Sequence, residues 1–311
     1  MNIVLTGSAS HLAKATLPVL CAQKTISRII GIDIKPSTFR HAKFEERLLD
    51  IRSPAIADHL NSVDCVIHMA FVVMRGALGR QRHDRTLMHD ININGSINVF
   101  QQAARQNVST LVHLSSAAVY GPDHNTPAMI TEQQPLRALQ AFAYAEDKVA
   151  LEHWMDQWLT RTPMRVVRLR PHAILGLHAQ PLLKHILNFP VIPASKGKAP
   201  LLQCVWEHDV ARAIVQAVAS DVSGSFNLST DDSLSFRDMH KHLNRHGITL
   251  PYALLRQSHR LAWRITGRYG EPGWMHALQF PLTLDNGKAA RALNWRPSRT
   301  LTQCLDMIRS K

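Results

Sequence analysis

The stretch Asn2–Ala13, NIVLTGSASHLA, joins a short apolar run to a Thr-Gly turn and the beginning of a helix-like stretch. The same alternation continues through the first half of the chain. Apolar strands that alternate with helices form parallel sheets that are covered on both faces. The sequence therefore predicts an α/β fold with a doubly wound parallel sheet. The further apolar runs are SRIIGIDI (27–34), DCVIHMAF (64–71), STLVHLSSAAVYG (109–121) and MRVVRLRPHAILG (164–176). Helices are predicted between them at AIADHLN (55–61) and, as a long helix, at NINGSINVFQQAARQ (92–106).

The composition is that of a globular protein, since 45% of the 311 residues are apolar and 19% are charged. The 36 lysines and arginines exceed the 23 acidic residues and give a net charge of +13. This charge favours anionic partners, but no nucleic-acid motif accompanies it, so nucleic-acid binding is disfavoured. No apolar run can span a bilayer, and the start MNIVLTG lacks a basic secretory leader. We expect a cytoplasmic protein, and peripheral membrane contact stays open.

Two short motifs carry candidate catalytic chemistry. Tyr144 and Lys148 are four residues apart in a helix-like stretch, so their side chains lie on one face. A neighbouring cation lowers the pKa of a phenol and makes it usable as an acid or base near neutral pH. Ser116 ends a predicted strand, where open α/β sheets place their ligands. The alternatives are a surface helix pair for Tyr144 and Lys148, and strand-end capping for the serine.

The ordered motifs resemble those of the extended short-chain dehydrogenases/reductases, the NAD-dependent epimerase/dehydratase family. The resemblance covers nearly the whole chain. It implies a Rossmann-type sheet with a smaller, mainly helical C-terminal substrate lobe, an NAD-dependent oxidoreductase or epimerase acting on a small molecule, and a homodimer. The motifs are Thr6-Gly7, GIDI (31–34), LLDIR (48–52), DCVIHMAF, NINGSINVF (92–100), SSAAVYG (115–121), YAEDK (144–148), LRPHAILG (169–176) and LDNGKAARALNWRP (284–297).

The resemblance implies a role for each matching residue. Tyr144 would be the acid/base, Lys148 would lower its pKa and hold the nicotinamide ribose, and Ser116 would polarise the substrate. Ser116 matches the family serine, and Ser115 does not, because Ser116 lies four residues before Tyr120. The implied cofactor-binding residues are Gly7, Ser10, His11, Leu12, Asp33, Asp50, Ile51, Ala70, Phe71, Asn92, Tyr144, Lys148, Pro171 and His172. Gly95 is interpreted as a helix-packing residue.

Asp33 bears on the choice of cofactor. A carboxylate at the end of the second strand can accept hydrogen bonds from both ribose hydroxyls and repels a 2′-phosphate. NAD is therefore favoured over NADP, although Lys35 weakens that preference. The alternative is that Asp33 only begins the turn before Pro36.

The expected domains follow from the family order. Residues 1–175 are predicted to form an NAD(P)-binding Rossmann domain, to whose sheet residues 203–230 return. Residues 176–202 and 231–311 are predicted to form the substrate-binding lobe, since prolines at 181, 190, 193 and 200 mark loops there.

The chain departs from the family pattern at two places. The three glycine positions of the phosphate turn hold Gly7, Ser10 and Ala13, so Ser10 adds a side chain where the backbone approaches a pyrophosphate. Ala173 stands where sugar-nucleotide epimerases have an asparagine, and LLQCVWEHD (201–209) lacks their diphosphate-binding arginine. A nucleotide-sugar substrate is therefore in doubt, and RPHAILG resembles the hydroxysteroid-dehydrogenase-like and reductase branches more closely.

Two other patterns have weaker interpretations. Arg256, Arg260, Arg264 and Arg268 form a basic stripe opposite Leu254, Leu261 and Ile265 on a predicted helix. The stripe fits a solvated face, an anionic substrate or a membrane surface. The cluster His240, His242 and His246 has no carboxylate or cysteine to complete a metal site, and the four cysteines form no C-x-x-C pair, so we expect no metal.

Two functions from different classes remain. The favoured one is an oxidoreductase or epimerase that uses Ser116, Tyr144 and Lys148. The rival is a non-catalytic dinucleotide sensor or assembly factor, supported by the altered turn and the positive charge. The three catalytic residues count against the rival, because a pure binder has no use for all of them.

Overall fold

The computed structural model describes residues 1–73, 84–178, 187, 191–194, 199–245, 247–266 and 271–309. Its strands, in chain order, are β1 (Asn2–Thr6), β2 (Arg28–Asp33), β3 (Phe44–Leu48), β4 (Cys65–His68), β5 (Thr110–Leu114), β6 (Arg165–Pro171), β7 (Ile174–Leu175), β8 (Val191–Ala194), β9 (Leu201–Leu202), β10 (Val205–Trp206), β11 (Gly224–Leu228), β12 (Leu234–Ser235) and β13 (Ile248–Pro251).

The helices are α1 (Ala13–Cys21), α2 (Arg85–His89), α3 (Ser96–Arg105), α4 (Ala143–Leu159), α5 (Glu207–Ala219), α6 (Phe236–His242), α7 (Tyr252–Thr266), α8 (Pro272–Ala277), α9 (Gly287–Ala292) and α10 (Leu301–Arg309). Short 3₁₀ turns occupy Pro54–His59 and Ala117–Tyr120, and a π-helical turn occupies Asp90–Gly95. None of the described helices is long and apolar enough to cross a membrane.

A seven-stranded parallel sheet in the order β11-β6-β5-β4-β1-β2-β3 forms the centre of the fold. Its inner strands read as continuous apolar runs because both faces are covered. One face packs against Leu17 and Leu20 of α1 and Ile214 of α5, and the other packs against Phe100 of α3 and Leu151 of α4. This arrangement confirms the predicted Rossmann-type doubly wound sheet.

Local structure differs from the prediction at three places. β3 follows loops in a stretch, FEERL, that is half polar and carries no apolar alternation, so its pairing with β2 comes from the tertiary fold. AIADHLN was predicted as a helix and forms the 3₁₀ turn Pro54–His59. The long helix predicted at 92–106 is α3 preceded by the π-helical turn.

The C-terminal half is divided between the sheet and a separate core. β11 extends the sheet beside β6, and α5 packs on α1. Leu293 and Trp295 also join the core around β1, although they belong to the segment that was assigned to the substrate lobe. Met239 of α6 and Leu301 and Leu305 of α10 form another core with β7 and β9. The domain boundaries themselves stay a prediction.

Candidate active site

A cavity of about 930 Å³ opens beside the carboxyl ends of β5 and β6, next to the turn after β1. Parallel α/β sheets bind ligands at this edge. Nine of the predicted site residues line the cavity, namely Ser10, His11, Leu12, Phe71, Ser116, Tyr144, Lys148, Pro171 and His172. The others, Gly7, Asp33, Asp50, Ile51, Ala70 and Asn92, are not among the lining residues.

The turn after β1 requires a glycine at its first position. Gly7 has a φ of +77°, and a Cβ atom there would lie 2.7 Å from the backbone nitrogen of Ala70. Any side chain would therefore be strained and would collide with the end of β4. The backbone of Gly7 therefore packs directly against the backbone of Ala70.

Ser10 is accommodated by the helix that follows it. Its Oγ accepts a hydrogen bond of 3.3 Å from the backbone N–H of Ala13, the first residue of α1. A hydroxyl that accepts from such an N–H satisfies one of the donors left open at a helix start. No acidic residue occupies the first turn of α1, so its positive dipole end is not opposed by a side-chain charge.

Asp33 ends β2 and is bonded to the same turn. Its carboxylate accepts from the backbone N–H groups of Ala9, at 3.0 Å, and Lys35, at 3.1 Å. This geometry is compatible with both interpretations of Asp33. The residue begins a turn, and it also holds a carboxylate beside the turn after β1, where a ribose could bind.

Ser116, Tyr144 and Lys148 come together in the cavity wall. Tyr144 and Lys148 lie one turn apart on α4, and the Ser116 hydroxyl is near enough to the Tyr144 phenol to act against the rise of its pKa. The Lys148 Nζ donates to the carbonyl of Leu114 at 2.7 Å and lies 3.6 Å from the centre of the Phe71 ring. Ser116 also caps the 3₁₀ turn by accepting from the N–H of Ala118.

The protonation of this group differs from the expectation. Burial raises the pKa of Tyr144, and the nearby Ser116 hydroxyl opposes that shift only in part. The side chain of Lys148 is 2% exposed, and burial lowers its pKa from 10.5 to about 7, against the attraction of Glu152 and Asp147. Near neutral pH the two groups are therefore a protonated phenol and a half-protonated amine.

The lowered pKa of Lys148 predicts how stability changes with pH. The unfolded chain keeps the lysine proton up to about pH 10.5, whereas the folded chain releases it near pH 7. Stability attributable to this residue therefore rises with pH between these values and is lowest below pH 7. Against Lys148→Met, the wild type should gain about 2 kcal/mol in total from pH 7 to 9, with a slope that approaches about 1.4 kcal/mol per pH unit above pH 8. Urea unfolding of both proteins checks this, and a pH-independent difference would contradict it.

Ser115, unlike Ser116, belongs to a buried network of side-chain hydrogen bonds. It is buried and donates to Glu152 of α4 at 2.6 Å. Glu152 also accepts from the Nε and Nη2 of Arg170 on β6, and Arg170 donates to the Tyr120 hydroxyl. The Tyr120 hydroxyl in turn donates to Asn227 on β11. This buried network ties the end of β5 to α4, β6 and β11.

Three predicted cofactor residues have partners within the protein. Asn92 is buried and bonds to the backbone of Val72 and to Asp147. The carboxylate of Asp50 pairs with Arg52 at 2.6 Å. Ile51 packs against Gly95, where a Cβ atom would lie 2.8 Å from its side chain, so the packing interpretation of Gly95 is confirmed.

The basic stripe lies away from the cavity. Arg256, Arg260 and Arg264 are exposed on α7 and do not line the cavity, while Arg268 lies outside the described residues. Leu261 and Ile265 are 60% and 73% exposed, so the apolar side of the stripe is not the buried side. In the histidine cluster, His242 bonds to Asp306, and His246 lies outside the described residues.

Most residues of the apolar cavity wall were not predicted from the sequence. These side chains come from parts of the chain that are far apart and follow no shared motif. Helical spacing in α6 and α10 was the available signal, but it does not tell which face meets the cavity. The missed lining residues include Leu139, Phe142, Leu187, Leu202, Phe236, Met239, Trp274, Leu278, Leu282, Leu301 and Leu305.

Comparisons with known proteins identify the family of the chain. The family described as "NAD dependent epimerase/dehydratase family" matches residues 3–228. An uncharacterized protein of Mycobacterium tuberculosis is 25% identical over 257 residues, which cover 80% of this chain and 67% of that protein.

The fold is similar to those of nucleotide-sugar enzymes. A UDP-glucose 4-epimerase of Thermotoga maritima, solved with UDP-glucose, has a TM-score of 0.75 at 16% identity, covering 100% of this chain and 98% of that one. A UDP-glucuronic acid 4-epimerase of Bacillus cereus, solved with NAD, has a TM-score of 0.75 at 17% identity, covering 100% and 99%. At these identities the likeness shows the fold alone. Since the family match spans well over half of the residues, the chain belongs to the NAD-dependent epimerase/dehydratase family.

Proposed function

We propose that the chain is an NAD-dependent oxidoreductase or epimerase that acts on a secondary alcohol or ketone. One observation carries this proposal: Ser116, Tyr144 and Lys148 line the same cavity, with Lys148 buried one helical turn from Tyr144. These are the three residues whose sequence pattern predicts proton transfer.

The residues present fit a dinucleotide. Gly7 allows a tight turn, α1 directs its N-terminus to the turn with no acid in its first turn, and Asp33 adds a carboxylate at the end of β2. Such a helix start binds phosphate through its free N–H groups, and the carboxylate suits the hydroxyls of a ribose. NAD, favoured over NADP by Asp33, supplies the acceptor or donor of a hydride when it is bound.

The chain's own residues handle the proton. In the reductive direction, the raised pKa keeps the Tyr144 phenol protonated, so it can donate to a ketone oxygen as that oxygen gains charge. Ser116 is placed to donate a hydrogen bond to the same oxygen. In the oxidative direction, Tyr144 takes the alcohol proton, and a protonated Lys148 stabilises the phenolate that must form first.

The rival function has weaker support. A non-catalytic sensor or assembly factor was suggested by Ser10 in the phosphate turn and by the positive charge. Ser10 bonds to the start of α1, so its side chain has a local structural use that does not require loss of the cofactor. A homodimer formed through helices around residues 85–106 and 144–160 and a cytoplasmic location stay predictions of the sequence.

The two adjacent serines give the experiment that tests the proposed function. Ser116→Ala should lower turnover of a secondary alcohol about 100-fold or more while NADH still binds, because it removes a donor to the reacting oxygen. Ser115→Ala should keep turnover but lower the free energy of unfolding by about 1–3 kcal/mol, because Glu152 loses a buried partner.

Turnover is measured with cyclohexanol, octan-2-ol and UDP-glucose, and binding of NADH and NADPH by fluorescence. NADH should bind more tightly than NADPH. Failure of both nucleotides to bind, or equal loss of turnover in the two variants, would reject the proposed function.

A further inference from the structure

The part of the cavity beyond the catalytic residues is apolar, and different elements of the C-terminal half build it together. Leu202 of β9, Met239 of α6 and Leu305 of α10 line it, as do Leu278 and Leu282. Met239 and Leu305 belong to one packed core, so this wall is held in place by tertiary structure. An apolar wall of this kind binds apolar surface by excluding water.

Two polar side chains of this wall, Gln203 and His172, already have partners within the protein, whereas one carboxylate oxygen of Glu207 has none among the described residues and would repel an anionic group. Gln203 donates to the carbonyl of Thr230 at 2.7 Å and accepts from the N–H of Leu284 at 2.7 Å. His172 bonds through its two ring nitrogens to Leu282 and Ala173, and burial lowers its pKa to about 4. It is therefore neutral at physiological pH. Neither side chain offers a charge or an open donor to a substrate.

The charges of the described cavity do not suit a second diphosphate. Among the described lining residues, the cationic side chains outside the histidines are Lys35 and Lys148. Lys35 follows β2, on the cofactor side of the site, and Lys148 is already bonded to Leu114. Arg256, Arg260 and Arg264 lie outside the cavity. Burying a diphosphate without a paired cation carries a large desolvation cost.

We infer that the substrate is a secondary alcohol or ketone on an apolar, uncharged carbon skeleton that occupies the wall formed by Leu202, Met239, Leu278 and Leu305. This inference rests on the proposed function for the identity of the reacting group. The reacting oxygen meets Ser116 and Tyr144, and the skeleton extends along the apolar wall. The hydride and the proton are exchanged as in the proposed function, so no other reactant is needed.

Binding of methyl ketones tests the substrate class independently of turnover. The ketones run from hexan-2-one to decan-2-one and displace the neutral dye N-phenyl-1-naphthylamine from the complete chain, with UDP-glucose as the charged competitor. Each added methylene should tighten binding about fourfold until the wall is covered. UDP-glucose should not displace the dye. Ketone affinity that does not change with length, or displacement by UDP-glucose, would overturn the inference.

Two neighbouring leucines of β9 provide matched variants. Leu202 lines the cavity, whereas Leu201 does not and is 45% exposed. Leu202→Gln should weaken decan-2-one binding about tenfold, since it places an amide against the skeleton, and Leu201→Gln should leave it unchanged. Thermal unfolding verifies that both variants fold. If Leu202→Gln does not fold, Leu278→Gln replaces it with the same expected loss. Equal binding by the cavity variant and Leu201→Gln would overturn the inference.

The same measurements separate the two proposals. Length-dependent ketone binding without any hydride transfer would reject the proposed reaction and keep the substrate class. Turnover of UDP-glucose, with no length-dependent ketone binding, would reject the substrate class and keep the reaction.

Discussion

Tyr144→Phe should lower kcat/KM for a secondary alcohol by about 100- to 10,000-fold and leave the affinity for NADH nearly unchanged. The change removes one oxygen atom, the hydroxyl of a residue that lines the cavity together with Ser116. General acid–base catalysis by a positioned side chain contributes a factor of this size. The ring itself remains, so its edge-to-face contact with Phe71 and the shape of the cavity are retained. Turnover is followed through NADH formation, and affinity through NADH fluorescence.

Tyr120→Phe is the matched control for this variant. Tyr120 lies on the 3₁₀ turn after Ser116, is 1% exposed and bonds to Asn227 and Arg170. Tyr120→Phe therefore also removes one phenolic oxygen, but at a position that does not line the cavity. Its removal should lower the free energy of unfolding by about 1–3 kcal/mol with little loss of turnover per folded molecule. Equal turnover losses in the two variants would show that Tyr144 supports structure and does not transfer the proton.

The sheet and the grouping of Ser116, Tyr144 and Lys148 in one cavity could be predicted because local patterns specify both. The apolar strands need only their own sequence and flanking turns, and Tyr144 and Lys148 need only helical spacing. The position of Ser116 could be predicted because it directly follows an apolar strand. The protonation of the group could not be predicted, because the pKa of Lys148 depends on how completely Phe71, from the end of β4, and the rest of the fold exclude water.

The apolar wall and the buried polar network could not be predicted for a related reason. Leu202, Met239 and Leu305 are more than thirty residues apart, and only the packing of α6 and α10 brings them together. Glu152 follows Lys148 by four positions, so the sequence places two charged residues on one helix face, as on a surface helix. The structure nevertheless buries Glu152 fully. Its partner Arg170 lies within the apolar pattern of strand β6, where arginine is rare. That unusual position was the signal in the sequence for a buried ion pair.

Arg170→Met should lower the free energy of unfolding at neutral pH by up to about 3–5 kcal/mol, because it removes the two-pronged partner of buried Glu152 and leaves Arg168, at 3.2 Å, as its remaining cation. Burial acts to raise the pKa of Glu152, but Arg170, together with Arg168 and Ser115, outweighs it and holds that pKa below its usual range. Without Arg170 a large part of this opposition to burial is lost and the pKa rises. The loss should therefore shrink in acid, where Glu152 takes up a proton and its charge disappears.

A second substitution isolates the charge from the packing. Arg170→Met combined with Glu152→Gln removes both charges, so it should be more stable than Arg170→Met alone at neutral pH and should lose the acid dependence. Urea unfolding at several pH values measures the three proteins. A loss below about 1 kcal/mol, of the size of an exposed ion pair, would mean that Arg170 does not stabilise the buried charge of Glu152.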